Sequence, residues 1–149
     1  MEIQINWLAV VVATLSSFVI GAVWFGPKTF YPIWMKAQGR KVPTERIEMS
    51  GGETGLMFGG TFVAAFIQVA TLAFAFEFIG PATPGFGALS GALFGFLLAA
   101  GFTAFGSLSH RMFSHNEYKV YKSIQVWLIE VGQDVLSLTV AGAILGAWL

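Results

Sequence analysis

The sequence predicts an all-α integral membrane protein, built as a bundle of four transmembrane helices with both termini on the outer side of the membrane. The chain has 149 residues, of which 56% are hydrophobic and 11% are charged, and its mean hydropathy is +0.72. Soluble domains carry about 25% charged residues and bury only about two-thirds of their surface at this size. Four long apolar segments contain no Lys or Arg. We therefore interpret residues 1–149 as one membrane domain.

The first two apolar segments are each long enough to cross a bilayer. The first covers residues 5–25, and at ~1.5 Å per residue a helix of that length extends ~31 Å, about the thickness of the hydrocarbon core. The Gly-Pro pair at 26–27 ends it, because proline lacks the N–H group that a helix needs to continue. No basic residues precede it and no cleavage site follows it, so we expect a permanent span. The second segment covers residues 55–79 and ends at the next Gly-Pro pair, 80–81.

The third and fourth segments cover residues 87–108 and 123–148, and each predicts one further span. All four segments are continuously apolar, whereas strands of a membrane barrel alternate and need only ~10 residues. Four spans place the loops 26–54 and 109–122 on the same side, and these two loops hold all eight basic residues. The positive-inside rule then predicts that both loops are cytoplasmic and that both termini lie outside.

Aromatic residues lie near the predicted ends of the spans. Because Trp and Tyr combine an apolar ring with a polar tip, they favour the membrane interface. We expect Trp7 and Trp148 at the outer interface and Trp24, Trp34 and Trp127 at the inner one. The aromatic stretch 29–36, which is flanked by basic residues, is expected to lie along the inner membrane surface.

Small residues recur at four-residue spacing in every segment, which lets helix backbones approach closely in a bilayer. We expect these stripes to pack the helices of one chain together. A second possibility is that one stripe, that of segment three, mediates self-association. The stripes are Ala13, Ser17 and Gly21 in segment one, Gly60 and Ala64 in segment two, Gly87, Gly91 and Gly95 in segment three, and Gly142 and Gly146 in segment four.

Segment four carries the residues most suited to chemistry. Glu130 and Asp134 are four residues apart and share one helix face, with Gln133 beside it. Counted from residue 123, the two acids lie ~10 Å and ~16 Å deep, where a charged side chain costs at least ~2.5 kcal/mol. Burial disfavours the charged form of each. Since no basic residue is predicted at that depth, we expect the acids to be neutral, hydrated, or paired with an external cation or another subunit.

These acids belong to a predicted polar layer inside the bundle that also contains Ser17, Gln68 and Gln133. Intramembrane acids are common relay groups, so the layer could form a proton or cation path or a polar ligand site. The alternative is structural, with a neutral Asp134 hydrogen-bonded to Gln68 at a gain of ~1 kcal/mol.

Other kinds of site find no support in the sequence. There is no Cys, and His110 and His115 are five residues apart, which suits a metal poorly on a helix. No nucleotide-binding glycine loop or nucleophile–base pair is present, and a net charge of zero does not favour nucleic acid. We therefore predict no metal and no cofactor, and a membrane-embedded enzyme is a third class that the sequence disfavours for want of a catalytic set.

Short motifs at both ends of the chain carry a family resemblance. They are Asn6-Trp7, the run Gly21-Ala22-Val23-Trp24-Phe25-Gly26-Pro27, the pair Trp34-Met35, and the run Gly142-Ala143-Ile144-Leu145-Gly146-Ala147-Trp148. With these motifs the chain resembles, over essentially its whole length, a family of small bacterial membrane proteins known as domain of unknown function 1761. The resemblance implies four helices in the bacterial inner membrane and no particular reaction.

The function that these observations predict is proton- or cation-linked transport, or membrane assembly, through the polar cluster. Membrane lipids and further copies of the chain are the expected partners. The competing prediction is an accessory subunit of a larger membrane complex, whose polar cluster pairs with another protein.

Overall fold

The structure, a computed structural model, describes residues 4–44, 48–113 and 120–148. The described chain is helical and contains no β-strand. Four of its helical stretches are long and apolar enough to cross a membrane, which confirms the predicted fold class. The elements are α1 (Trp7–Trp24), α2 (Tyr31–Ala37), α3 (Gly51–Ile79), α4 (Ala88–Leu98), a π-helical segment (Ala99–Ala104), α5 (Phe105–Phe113) and α6 (Val120–Ala147).

The helix boundaries follow local capping chemistry. The Asn6 side chain accepts a hydrogen bond from the backbone N–H of Ala9 at 3.2 Å and so begins α1. At α3, Ser50 and Glu53 form a reciprocal capping box, which begins the helix four residues before the predicted span. The first turn of α3 is therefore a polar helical turn that precedes the apolar segment, in a stretch that the sequence assigned to the loop.

The helix α6 is the central element, since it packs against α1, α2, α3, α4 and α5. Its closest neighbour is α4. Buried apolar side chains between α1, α3, α4 and α6 form the main core, in which Val10, Val69 and Phe76 are almost completely enclosed. These side chains come from the first half of α1 and the second half of α3. The core therefore occupies the half of the bundle nearest the start of α1.

The two ends of the bundle differ in charge. At one end, here called the basic end, lie the end of α1, the helix α2 and the loop that follows it, the end of α5 and the start of α6. The opposite end joins the start of α1 to the end of α3, where the backbone N–H of Gln4 donates to Glu77 Oε2 at 3.2 Å. The described basic residues all belong to the basic end: Lys28, Lys36, Arg40, Lys41, Arg111 and Lys122. Arg46 and Lys119 lie outside the described residues.

The aromatic stretch 29–36 folds largely into the short helix α2. Pro32 occupies the first turn, where its missing N–H costs no hydrogen bond. Met35 and Ala37 are buried, and Phe30, just before the helix, stacks on Trp24 with the ring centres 4.3 Å apart. These contacts attach α2 to the basic end of the bundle.

The third span is not a uniform α-helix. Residues Ala99–Ala104 form a π-helical turn between α4 and α5, and the helix then continues to Phe113, five residues past the predicted end. A π turn holds one more residue than an α turn, so it shifts which side chains face α6. It also alters the backbone hydrogen bonding near Ala104, whose carbonyl oxygen faces α6.

Candidate functional site

Glu130 connects three helices at the basic end. Its Oε1 accepts a hydrogen bond from the indole Nε1 of Trp34 in α2 at 3.1 Å. Its Oε2 forms an ion pair with the Nη2 of Arg111 in α5. The two side chains of the ion pair are 25% and 38% exposed, so neither is fully removed from solvent. Both carboxyl oxygens of Glu130 are therefore satisfied within one chain.

This arrangement corrects one expectation from the sequence. We expected Glu130 to lack a basic partner at its depth, but Arg111, near the end of α5, reaches it. Depth counted along helix backbones leaves out the length of an Arg side chain, which carries the charge well beyond its own Cα. The sequence does contain a signal for this pair, because Arg111 and Glu130 carry opposite charges on the facing ends of two consecutive spans.

Two further tryptophans attach their neighbours to α6. Trp24 in α1 donates its indole N–H to the carbonyl oxygen of Ile129 at 2.9 Å. Trp127 in α6 donates to the carbonyl oxygen of Ala104, in the π-helical segment, at 3.0 Å, and lies 3.2 Å from Ser107 Oγ. Buried indole N–H groups need such partners. Together with Trp34, these side chains hold α1, α2 and the third span around the basic half of α6.

Asp134 lies one turn beyond Glu130, towards the middle of the bundle. It is half-buried and shares its side of α6 with the buried residues Val131, Leu138 and Ala141. No hydrogen bond or ion pair to its carboxyl group comes from any part of the chain that the structure describes. Among the described residues, every fully buried side-chain oxygen has a hydrogen-bond partner. Since the Asp134 carboxyl oxygens have none, they are not fully buried. The carboxyl group is thus inside the bundle, reachable and unpaired.

Gln133 and the small residues of α1 form the seam beside Asp134. The Gln133 Nε2 donates to Ser137 Oγ at 2.8 Å. It lies 3.5 Å from the position that a Cβ would take at Gly21, so the glycine leaves room for this amide. Ser17, buried one turn from Gly21, donates to the carbonyl oxygen of Ala13 at 3.1 Å. Gln133 therefore packs beside Gly21 at the α1–α6 seam, while Ser17 and Gln133 each form their hydrogen bond within their own helix.

Gln68 is a second correction to the predicted polar layer. Its side chain lies on the exposed face of α3, whereas the interior face of the same helix carries Val69, Leu72 and Phe76. Gln68 is therefore not beside Asp134 inside the bundle, and the alternative in which these two side chains bond within one chain has no geometric basis.

The glycine stripes of the third and fourth spans meet each other. A Cβ added at Gly91 would overlap the carbonyl oxygen of Gly142 and lie 3.1 Å from the Cα of Gly146. One at Gly95 would overlap the carbonyl oxygen of Leu138. These glycines, with Gly87 at the same seam, allow α4 and α6 to pack backbone against backbone within the chain.

The remaining predicted sites are separate from this cluster. Trp7 and Trp148 lie at the opposite end, where Trp148, Asn6 and Glu77 help to line a cavity of ≈ 150 Å³. Within the described residues, no three His, Cys, Asp or Glu side chains are grouped closely enough to hold a metal ion. Neither Asp134 nor Glu130 lines the cavity at the opposite end.

The fold and its buried polar cluster define a small multi-pass membrane protein. The chain belongs to the family described as Protein of unknown function (DUF1761), which it matches over residues 8–146, and the resemblance stated above is thereby confirmed. No curated protein and no solved structure matches the chain. Of the residues that carried the resemblance, Gly21, Trp24 and Trp34 all contact α6 at or beside the candidate site.

Proposed function

We propose that this chain is a non-enzymatic protein of the bacterial inner membrane that conducts protons or cations by way of Asp134. The observation that supports this is an accessible carboxyl group on the interior side of α6 with no described partner. In a bilayer such a group must be protonated, hydrated or bound to a cation, and groups that exchange these states act as relays.

Glu130 has a different role in the proposal. Because Trp34 and Arg111 already occupy its oxygens, it holds α2 and α5 at the basic end and does not accept the transported ion. The proton or cation is therefore assigned to Asp134. Gln133 and Ser137 offer further polar groups along the α1–α6 seam.

Flux into liposomes tests the proposal. The purified chain would be reconstituted, and proton uptake followed with an entrapped pH-sensitive dye under an imposed K⁺ diffusion potential, with Na⁺ and K⁺ gradients as separate probes. We expect flux above protein-free liposomes, its loss in Asp134→Asn, and partial retention in Asp134→Glu, which keeps the carboxyl group.

Glu77→Gln is the matched control, because Glu77 is a half-buried acid at the opposite end of the bundle. This variant should conduct like the parent, and Asp134→Asn should elute at the parent's size in mild detergent. If the parent chain moves none of the three ions, or if Asp134→Asn conducts normally, the assignment of transport to Asp134 is wrong.

An accessory subunit of a larger complex is the alternative, in which the unpaired Asp134 accepts a donor from another protein. The same preparation separates the two, since flux by the purified chain alone needs no additional subunit. Under the alternative, the purified chain is inactive and Asp134→Asn prevents association with the partner in membranes.

A further inference from the structure

The small-residue stripes differ in whether another helix of the same chain packs against them. Gly91 and Gly142 face each other so closely that neither tolerates a Cβ without backbone movement. On α1, Ala13 and Ser17 are buried at 0% and 6% exposure. Three of the four stripes are therefore already covered by neighbouring helices of the same chain, and none of these three is available to another molecule.

The stripe on α3 is the exception. Gly60 and Ala64 are exposed, and a Cβ added at Gly60 would meet no heavy atom within 4 Å. One turn further along the same face, Gln68 is exposed as well, three residues past the centre of the 29-residue helix. A smooth helix surface with an amide at its end thus faces outward near the middle of the span.

Gln68 is the unusual group on that surface. Thr61 and Thr71 also face outward, but each hydroxyl donates to the carbonyl oxygen four residues earlier, at 2.7 Å and 2.8 Å. Nothing in the described chain forms a hydrogen bond with the Gln68 amide. Lipid tails cannot satisfy its donor and acceptor groups, so an amide left facing them is costly.

We propose that two copies of this chain pair through the α3 surface formed by Gly60, Ala64 and Gln68. A twofold axis along the membrane normal brings the same residue of each copy to the same depth. The two Gln68 amides then meet, and each supplies both a donor and an acceptor. Gly60 and Ala64 allow the close backbone approach that this hydrogen bonding needs.

A second copy fits this surface better than a different protein. The exposed face carries no charge between residues 54 and 76, so it selects no oppositely charged partner. An amide is complementary to another amide at equal depth, and a copy inserted in the same orientation always provides one. The proposal is independent of transport, since it concerns the outer surface of α3 and not the interior carboxyl group.

Cysteine cross-linking in native membranes tests the pairing, and the chain contains no Cys that would interfere. Near a twofold axis the Cβ atoms of two copies can approach the ~3.5–4.5 Å that a disulfide requires. We expect Ala64→Cys to form a covalent dimer on mild oxidation. The matched control is Leu15→Cys, an exposed mid-span position on α1, which should remain monomeric.

Two further substitutions in the Ala64→Cys chain examine the surface itself. Gly60→Leu should abolish the cross-link by blocking close approach, although it meets no obstacle within its own chain. Gln68→Leu changes both copies and should weaken dimerisation about eightfold, as expected for the loss of two interhelical hydrogen bonds. A dimer unaffected by both substitutions, equal cross-linking at Leu15→Cys, or a monomer under all conditions would overturn the proposal. Ion flux by a chain that fails to dimerise would leave the transport proposal standing.

Discussion

Glu130 illustrates how a carboxyl group inside an apolar bundle is accommodated. Its two oxygens have different partners, an indole N–H from α2 and a guanidinium from α5. Charge-assisted hydrogen bonds of this kind are stronger than neutral ones, and partial exposure lowers the desolvation cost of the ion pair. One side chain therefore adds a polar connection from α6 to both α2 and α5, which also pack against it.

A double-mutant cycle measures this connection. Arg111→Gln and Glu130→Gln should each lower the free energy of unfolding, because each leaves a charged partner uncompensated. We expect a coupling energy of about 1 kcal/mol, near the upper end for exposed pairs and below that of fully buried ones. Thermal unfolding in detergent, followed by tryptophan fluorescence, gives the four values. Additive effects, within about 0.3–0.5 kcal/mol, would mean that the ion pair contributes no stability.

Individual residues were predictable from the sequence to different degrees. The acids on α6 were identified because i, i+4 spacing defines a shared helix face regardless of the tertiary fold. The orientation of Gln68 was not, because α3 is apolar on nearly every side, and a helix without a polar side does not reveal which face is interior. The partners of Trp24 and Trp34 were likewise missed, since a Trp near a span end is equally expected at the lipid interface.

At the scale of helices, the α4–α6 pair depends on the absence of side chains. Glycine at Gly91, Gly95 and Gly142 brings backbone against backbone, which maximises van der Waals contact where lipid removes the hydrophobic driving force. The four-residue spacing predicted this use. It could not distinguish an internal seam from an outer one, because both need the same small residues.

Gly91→Ala should destabilise the fold by about 1–3 kcal/mol, since a Cβ there overlaps the Gly142 carbonyl group and the helices must separate. Gly59→Ala is the matched control, because it lies on α3 with no heavy atom within 4 Å. That change should be neutral or stabilising by up to about 1 kcal/mol through helix propensity. Unfolding in detergent compares the two variants. Equal stability would show that the α4–α6 seam can relax without cost.

The π-helical segment could not be predicted from the sequence. Ala99–Ala104 contains no proline, and its small and apolar residues resemble those of α4 before it. Its stabilising contact is tertiary, since Trp127 of α6 donates to the Ala104 carbonyl oxygen. A local pattern cannot show a partner 23 residues away, so the sequence predicted one regular span.

At the scale of the whole molecule, span number and approximate length followed from hydropathy alone, because each apolar run must satisfy its backbone within a helix. The same principle explains the errors at span ends. Capping by Ser50 and Glu53 begins α3 before the apolar run, and α5 continues beyond it into a polar turn. Hydropathy locates what can enter lipid, whereas the helix itself ends where its hydrogen bonding ends.

The orientation of the bundle remains a prediction of charge, and single cysteines can measure it in a chain without native Cys. Thr44 is exposed in the loop at the basic end, and Ala82 is exposed in the turn at the opposite end. The positive-inside rule, with all eight basic residues in the stretches 26–54 and 109–122, predicts that Thr44 is cytoplasmic. A membrane-impermeant maleimide should therefore label Ala82→Cys in intact cells and Thr44→Cys only after permeabilisation. The reverse labelling pattern would place the basic end, with Glu130 and Arg111, on the outer side of the membrane, and the positive-inside assignment would then be wrong for this chain.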